Sequence, residues 1–219
     1  YLGWKPIGWE GGPNFGLFVQ NTRDNGLIVT GEDAGGHVLA GNQDLIAVKL
    51  DANGILRWVS GVADPDMTYH SFENGQAVTQ TSDGGYLFTG FRRLFYYRGE
   101  SASGPVDEAS FSKRLFIFKT ESLGNGKWGG TFGRGTDAQG RSIQETPDGG
   151  FIVAGRTNFE EGGASDAYVL KFGSQRGNLE WECTYGGANI DEAHEIRRTA
   201  DGGYIVAGPT KSFGAGDYD

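Results

Sequence analysis

Thr146-Pro-Asp-Gly-Gly-Phe-Ile-Val-Ala-Gly155 is one of four copies of a single phrase in this chain. The others are Thr22-Arg-Asp-Asn-Gly-Leu-Ile-Val-Thr-Gly31, Thr81-Ser-Asp-Gly-Gly-Tyr-Leu-Phe-Thr-Gly90 and Thr199-Ala-Asp-Gly-Gly-Tyr-Ile-Val-Ala-Gly208. Their aspartates, Asp24, Asp83, Asp148 and Asp201, stand 59, 65 and 53 residues apart. Asp-Gly-Gly reads as a tight hairpin turn, because glycine tolerates positive φ, and the apolar run after it reads as a strand. A second phrase follows three of the copies: Asp44-Leu-Ile-Ala-Val-Lys49, Arg114-Leu-Phe-Ile-Phe-Lys119 and Asp166-Ala-Tyr-Val-Leu-Lys171. A tryptophan closes each unit, at Trp58, Trp128 and Trp181, and Trp4 belongs to the same class.

Each unit therefore contains four short strands, designated A to D. A is the segment before the Thr (141–146 in the third full unit), B the run 151–154, C the run 167–172, and D the strand with the Trp. No segment shows helical periodicity, so the expected class is all-β. A four-stranded unit of about 50 residues, repeated, points to a β-propeller in which neighbouring blades cover each other's apolar faces. A β-solenoid is the rival, but it needs no hairpin in every coil. The packing places Ile28, Leu87, Ile152 and Ile205 in equivalent buried positions, with the strand-D Trp between blades. The units read as 1–9 (strand D of a preceding blade), 10–64, 65–135 with a long insertion, 136–188, and 189–219 as a partial blade. About four blades are covered, and the sequence is expected to be an excerpt of a larger ring, or else a second chain supplies the missing strand.

Composition bounds the function. The 219 residues carry 19 Lys and Arg against 28 Asp and Glu, a formal charge of −9, which argues against a nucleic-acid partner. No apolar run approaches the roughly 18 residues of a membrane span. Tyr1 opens without a charged or apolar leader, so a secretory signal is expected to be absent or removed. One cysteine, Cys183, allows no internal disulfide; two residues after Trp181 on the same strand face, it reads as a small buried filler.

The pattern Trp181-x-x-Thr184-Tyr185-Gly186-Gly187, then Asp191, Ala193 and Ile196, then Asp201-Gly-Gly-Tyr-Ile-Val-Ala-Gly208-x-Thr210, resembles the repeats of bacterial and archaeal secreted propellers of the SBBP and Asp-Gly-Gly-Tyr type. The resemblance covers nearly the whole chain and implies an extracellular or cell-surface setting. It implies no activity. The unit at 66–135 departs most, since Arg114 replaces the strand-C Asp.

Function is expected on one face. The A–B and C–D turns share one side of the blades and are short; the B–C and D–A connections share the other and vary in length, as binding faces do. The connection 91–113 carries Arg92, Arg93, Phe95, Tyr96, Tyr97 and Arg98, an unusual basic and aromatic cluster in an acidic chain. With Tyr69 and His70 these are the candidate binding residues, for a protein neighbour or an acidic glycan, or alternatively a loop folded on its own blade with Arg–Glu pairs. Asp64, Asp66 and Glu73 could hold calcium through alternate oxygen ligands, although solvated loop acids account for them as well. No organic cofactor is implied. Asp191, Glu192, His194 and Glu195 form a further acidic group. The recurring Asp residues read as turn caps, with Asp44 and Asp166 anchoring strand C in the same way, and Lys49, Lys119 and Lys171 recur too regularly to form one active site. No Gly-x-Ser-x-Gly, Walker or His-Glu-x-x-His motif is present. The leading expectation is a non-enzymatic binding or assembly module with a protein partner or a neighbouring copy. The alternatives are a glycan binder or carbohydrate-active enzyme on the same face, and a subunit of a surface fibre or layer.

Overall fold

The computed structural model describes residues 14–33, 44–62, 71–95, 111–133, 135–158, 164–174 and 177–214. Every regular element in them is a strand. β1 (Asn14–Asn21), β2 (Leu27–Asp33), β3 (Asp44–Leu50) and β4 (Leu56–Val62) form one four-stranded antiparallel meander. β5 (Ser71–Gln80), β6 (Tyr86–Phe95), β7 (Phe111–Thr120) and β8 (Gly126–Phe132) form a second. β9 (Asp137–Glu145), β10 (Phe151–Asn158), β11 (Asp166–Phe172) and β12 (Leu179–Tyr185) form a third, joined to the second by one parallel bridge, Lys113 to Asp137. β13 (Glu195–Arg198) and β14 (Tyr204–Ala207) form a two-stranded fourth. The four strands of each full repeat unit are thus the four strands of each of the first three sheets.

The four-copy phrase forms a lock at each β-hairpin. Gly84, Gly149 and Gly202 have φ of 82°, 76° and 88°, and Asn25 takes φ 60° in the one copy lacking that glycine, the exchange that a left-handed position favours. Asp83 Oδ1 accepts from Thr81 Oγ1 at 2.6 Å, from the Gly85 N–H at 3.0 Å and from Lys119 Nζ at 2.9 Å. Lys119 also donates to its neighbour's carbonyl, Thr120 O, at 2.9 Å. The same set recurs as Thr22, Asp24, Gly26 and Lys49, and as Thr146, Asp148, Gly150 and Lys171. The three lysines are buried while their aspartates face water. Each ammonium ion thus keeps a carboxylate and a carbonyl as acceptors, as burial demands. The turn-cap reading holds for these aspartates. Asp166 opens β11 at the far end of its sheet beside Asp191, where burial and that neighbouring charge push its pKa up.

Successive sheets pack face to face. Ile28 and Val78 share one core with Tyr86 and Phe88; Leu87 and Ile143 share the next with Phe151 and Val153; Ile152 and Ile196 share the third. Trp58 meets Tyr86 of the following sheet at 5.5 Å between ring centroids, and Trp128 meets Phe151 at 5.9 Å. The opening strands β1, β5, β9 and β13 together line a cavity of about 380 Å³.

Two expectations of burial fail at the last junction. Ile28, Leu87 and Ile152 are fully buried, but Ile205 is 61% exposed. Cys183 shares the strand face of Trp181 as expected, yet it is exposed. Both have one cause: among the described residues the fourth sheet has two strands, so nothing covers β14 or the outer face of β12. The insertion is also shorter than its sequence suggested. β6 runs on to Phe95 and β7 starts at Phe111, so residues 91–95 and 111–113 extend the hairpin.

Candidate binding face

The meander topology puts the locked hairpins at one end of every sheet and the variable connections at the other. At that second end the register of β6 and β7 sets Arg92 opposite Arg114 and Arg93 opposite Lys113. Two adjacent like-charge pairs across a strand pair oppose folding. The bridge between β7 and β9 then brings in Arg141, and β10 brings Arg156. Six cations therefore lie at this end of β6, β7, β9 and β10 in a chain whose net charge is −9: Arg93, Lys113, Arg141 and Arg156 between the second and third sheets, and Arg92 and Arg114 on the opposite face of β6 and β7.

Among the described residues Glu73, Asp137 and Glu192 meet them. Glu73 on β5 pairs with Arg92 Nε at 2.9 Å. Arg156 bridges Asp137 (Nη2 to Oδ2, 2.9 Å) and Glu192 (Nη1 to Oε1, 2.6 Å), and Arg141 Nη2 reaches Glu192 Oε2 at 3.0 Å. His194 Nε2 joins the same oxygen at 2.7 Å. Burial opposes ionisation of Glu192, but hydrogen bonds from His194 and Arg156 and the charges of Arg141 and Arg156 outweigh it and hold its pKa below the ordinary value. Arg114 Nη1 donates to the carbonyl of Gly133 at 2.6 Å. Lys113 Nζ sits 5.2 Å from the centroid of the Phe91 ring, a cation–π contact. Burial lowers the Lys113 pKa, and Arg93, Arg156 and Arg141 lower it further against the pull of Asp137. The guanidinium forks match planar oxyanions two bonds at a time.

Of the residues singled out from sequence, Arg92 and Arg93 stand in this cluster. Phe95 ends β6. Tyr96, Tyr97, Arg98, Tyr69, His70, Asp64 and Asp66 lie outside the described residues. Glu73, the third member of the calcium set, is buried and engaged with Arg92. Asp191, in the other acidic group, bonds Thr210, Ser212 and the Gly187 N–H, a loop anchor. No group of three or more potential metal ligands occurs among the described residues. Lys113, Arg114, Arg141 and Arg156 were missed. The first two could have been found by folding the insertion on itself, which sets Arg92-Arg93 against Lys113-Arg114. A cavity of about 660 Å³ reaches the Glu73–Arg92 pair from between β3 and β8.

A comparison with known protein families finds no match for this chain, and no curated protein matches it. No helix in the described residues is long and apolar enough to cross a membrane.

Proposed function

We propose that the sheets are consecutive blades of a β-propeller, and that the chain is a non-enzymatic, extracellular or cell-surface binding or assembly module acting through the variable-connection face. The ring reading is supported by the chain-order packing of four-stranded meanders and by the gathering of their opening strands round one cavity. The extracellular setting rests on the repeat resemblance. The observation that carries the binding role is the group of four cations, Arg93, Lys113, Arg141 and Arg156, between the second and third sheets, with the pair Arg92 and Arg114 on the other face of β6 and β7. Like charges set opposite one another weaken the host sheet, whereas an anionic partner offsets that repulsion. The partner that fits is a protein neighbour with an acidic surface.

The test uses charged matrices. At low ionic strength a chain of this net charge is repelled by carboxymethyl dextran unless a basic face captures it. Retention is expected for the native protein. It should vanish in Arg93→Ser/Lys113→Ser/Arg114→Ser, with an unchanged circular dichroism spectrum. Passage of the native protein straight through, or equal retention of both proteins, refutes the proposed face. Retention on neutral dextran would favour the glycan reading instead.

A further inference from the structure

The outer edge of β14 is unpaired among the described residues, and the three complete sheets show what occupies the equivalent edge. β3 lies antiparallel on β2 with Lys49 opposite Ile28, β7 on β6 with Lys119 opposite Leu87, and β11 on β10 with Lys171 opposite Ile152. In each, the lysine reaches the hairpin aspartate of that sheet: Asp24, Asp83 and Asp148. Among the described residues the fourth hairpin has the aspartate without the lysine. Asp201 accepts from Thr199 Oγ1 and from the Gly203 N–H at 3.1 Å, and no lysine meets it among the described residues.

The apolar half of the seat is also built and open. In the finished sheets, alternate residues of the third strand pack back on the preceding sheet: Phe116 and Phe118 join Leu45, Ala47 and Trp58, while Tyr168, Leu170 and Phe172 join Leu115, Ile117 and Trp128. Beside β14 the matching space is a groove of about 370 Å³ lined by Val169, Trp181, Tyr185, Tyr204 and Val206. Trp181 is 40% exposed and Val206 38%, whereas Phe88 and Val153, which hold the place of Val206 in the second and third sheets, are fully buried.

We propose that the edge of β14 is an acceptor for one extended polypeptide segment, antiparallel to it. The segment has the pattern of β11: an apolar run read alternately, with a lysine after its fourth apolar residue. Its backbone completes the ladder, its alternate side chains cover Trp181 and Val206, and its lysine stands opposite Ile205 and closes on Asp201. Main-chain pairing supplies affinity, and the groove and the carboxylate supply register. This seat is at the strand edge, away from the cationic rim, and does not depend on the role proposed for that rim.

The probe is a blocked peptide, Asp-Ala-Tyr-Val-Leu-Lys-Phe, copied from residues 166–172. It is titrated into the 219-residue protein and followed by tryptophan emission and by isotope-edited amide spectra. Saturable binding with a blue shift is expected, since covering Trp181 removes it from water. A peptide with norleucine for lysine should bind about tenfold more weakly. Asp201→Asn should show a similar loss for the lysine peptide and little difference between the two peptides. A scrambled peptide tests for mere hydrophobic adsorption. Absence of binding, equal binding of the scrambled sequence, or insensitivity to both the norleucine and the Asp201→Asn changes overturns the proposal. Hydrogen exchange confirms that the variant keeps the native β13–β14 hairpin.

Discussion

Gly140→Ala tests how the sheets are fitted together. Gly140 lies in β9, against the preceding sheet. A Cβ added there would stand 2.1 Å from Thr89 Oγ1 and 3.1 Å from its Cβ and Cγ2. Thr89 is fully buried and its hydroxyl donates to Phe116 O at 2.8 Å, so turning the side chain away breaks that bond. Overpacking costs about 1–3 kcal/mol and the lost buried hydrogen bond about 1 kcal/mol more, so Gly140→Ala should destabilise by about 2–4 kcal/mol. Thr89→Ala alone loses the hydrogen bond and opens a methyl-sized gap, together about 1–2 kcal/mol. The double variant recreates what the next junction already has, where buried Ala154 and Ala193 occupy the same two places. It should therefore be more stable than Gly140→Ala alone, with a coupling of about 2 kcal/mol between the two sites. Urea unfolding followed by circular dichroism, at constant m-value, measures all three. If the single glycine change lies within about 0.5 kcal/mol of the native protein, or if the two effects simply add, the complementary packing is wrong.

The hairpin locks make stability sensitive to acid. Asp24 is held down to about 2 by Thr22 first and then by Lys49, and the hydrogen bonds of Asp83 and Asp148 depress those groups further still. A carboxylate whose folded pKa lies below its unfolded value of about 3.9 stabilises fully above that pH and loses its effect as pH falls towards the folded value. Tm should thus be level from pH 7 to about 5 and fall between pH 4 and 2, with a shallower fall in Lys119→Met; a flat profile across pH 4 to 2 would contradict the lock. The junction tryptophans should differ by position. Trp128→Ala removes a ring packed on Phe151 and should cost about 3 kcal/mol or more, whereas Trp181→Ala, with 40% of the residue already exposed, should cost less than half of that. Equal losses in urea unfolding would show that the third junction is already covered.

The strand order and the hairpins were legible because each depends on a local signal repeated four times: a glycine, or in one copy Asn25, where φ is positive, and an apolar run beside it. The triads were half legible. Asp and Lys recur visibly, but only the register Ile28–Lys49 brings Lys49 onto the sheet end where Asp24 turns. The burial of Ile205 was misread, since the same residue in the same phrase is covered only if its sheet has a neighbour. Likewise Arg141 and Arg156 carry no motif. Their meeting with Lys113 arises from the crossing between two sheets, which sequence spacing does not encode.

The repeated scaffold is nonetheless not interchangeable from junction to junction. The residue just before the conserved threonine reaches back to the preceding sheet: Gln80 Oε1 accepts from the Arg23 N–H at 2.8 Å, and Glu145 Oε2 accepts from the Ser82 N–H at 2.7 Å. At the third junction the facing residue is Pro147, which has no N–H, and the residue that would reach back is Arg198, which has no acceptor. What that junction keeps is the second bond, from the Arg198 N–H to Gln144 Oε1 at 3.3 Å, the counterpart of the bond from the Gln80 N–H to Gln20 Oε1 at 3.2 Å at the first junction. Setting the fourth sheet on the second would leave the Ser82 N–H facing an arginine and press the methyl of Ala193 onto Thr89. Setting the third sheet on itself would aim Glu145 at Pro147. Each wrong order strands a polar group or overfills a gap at a cost of about 1–3 kcal/mol, so small differences between near-identical units fix which sheet follows which.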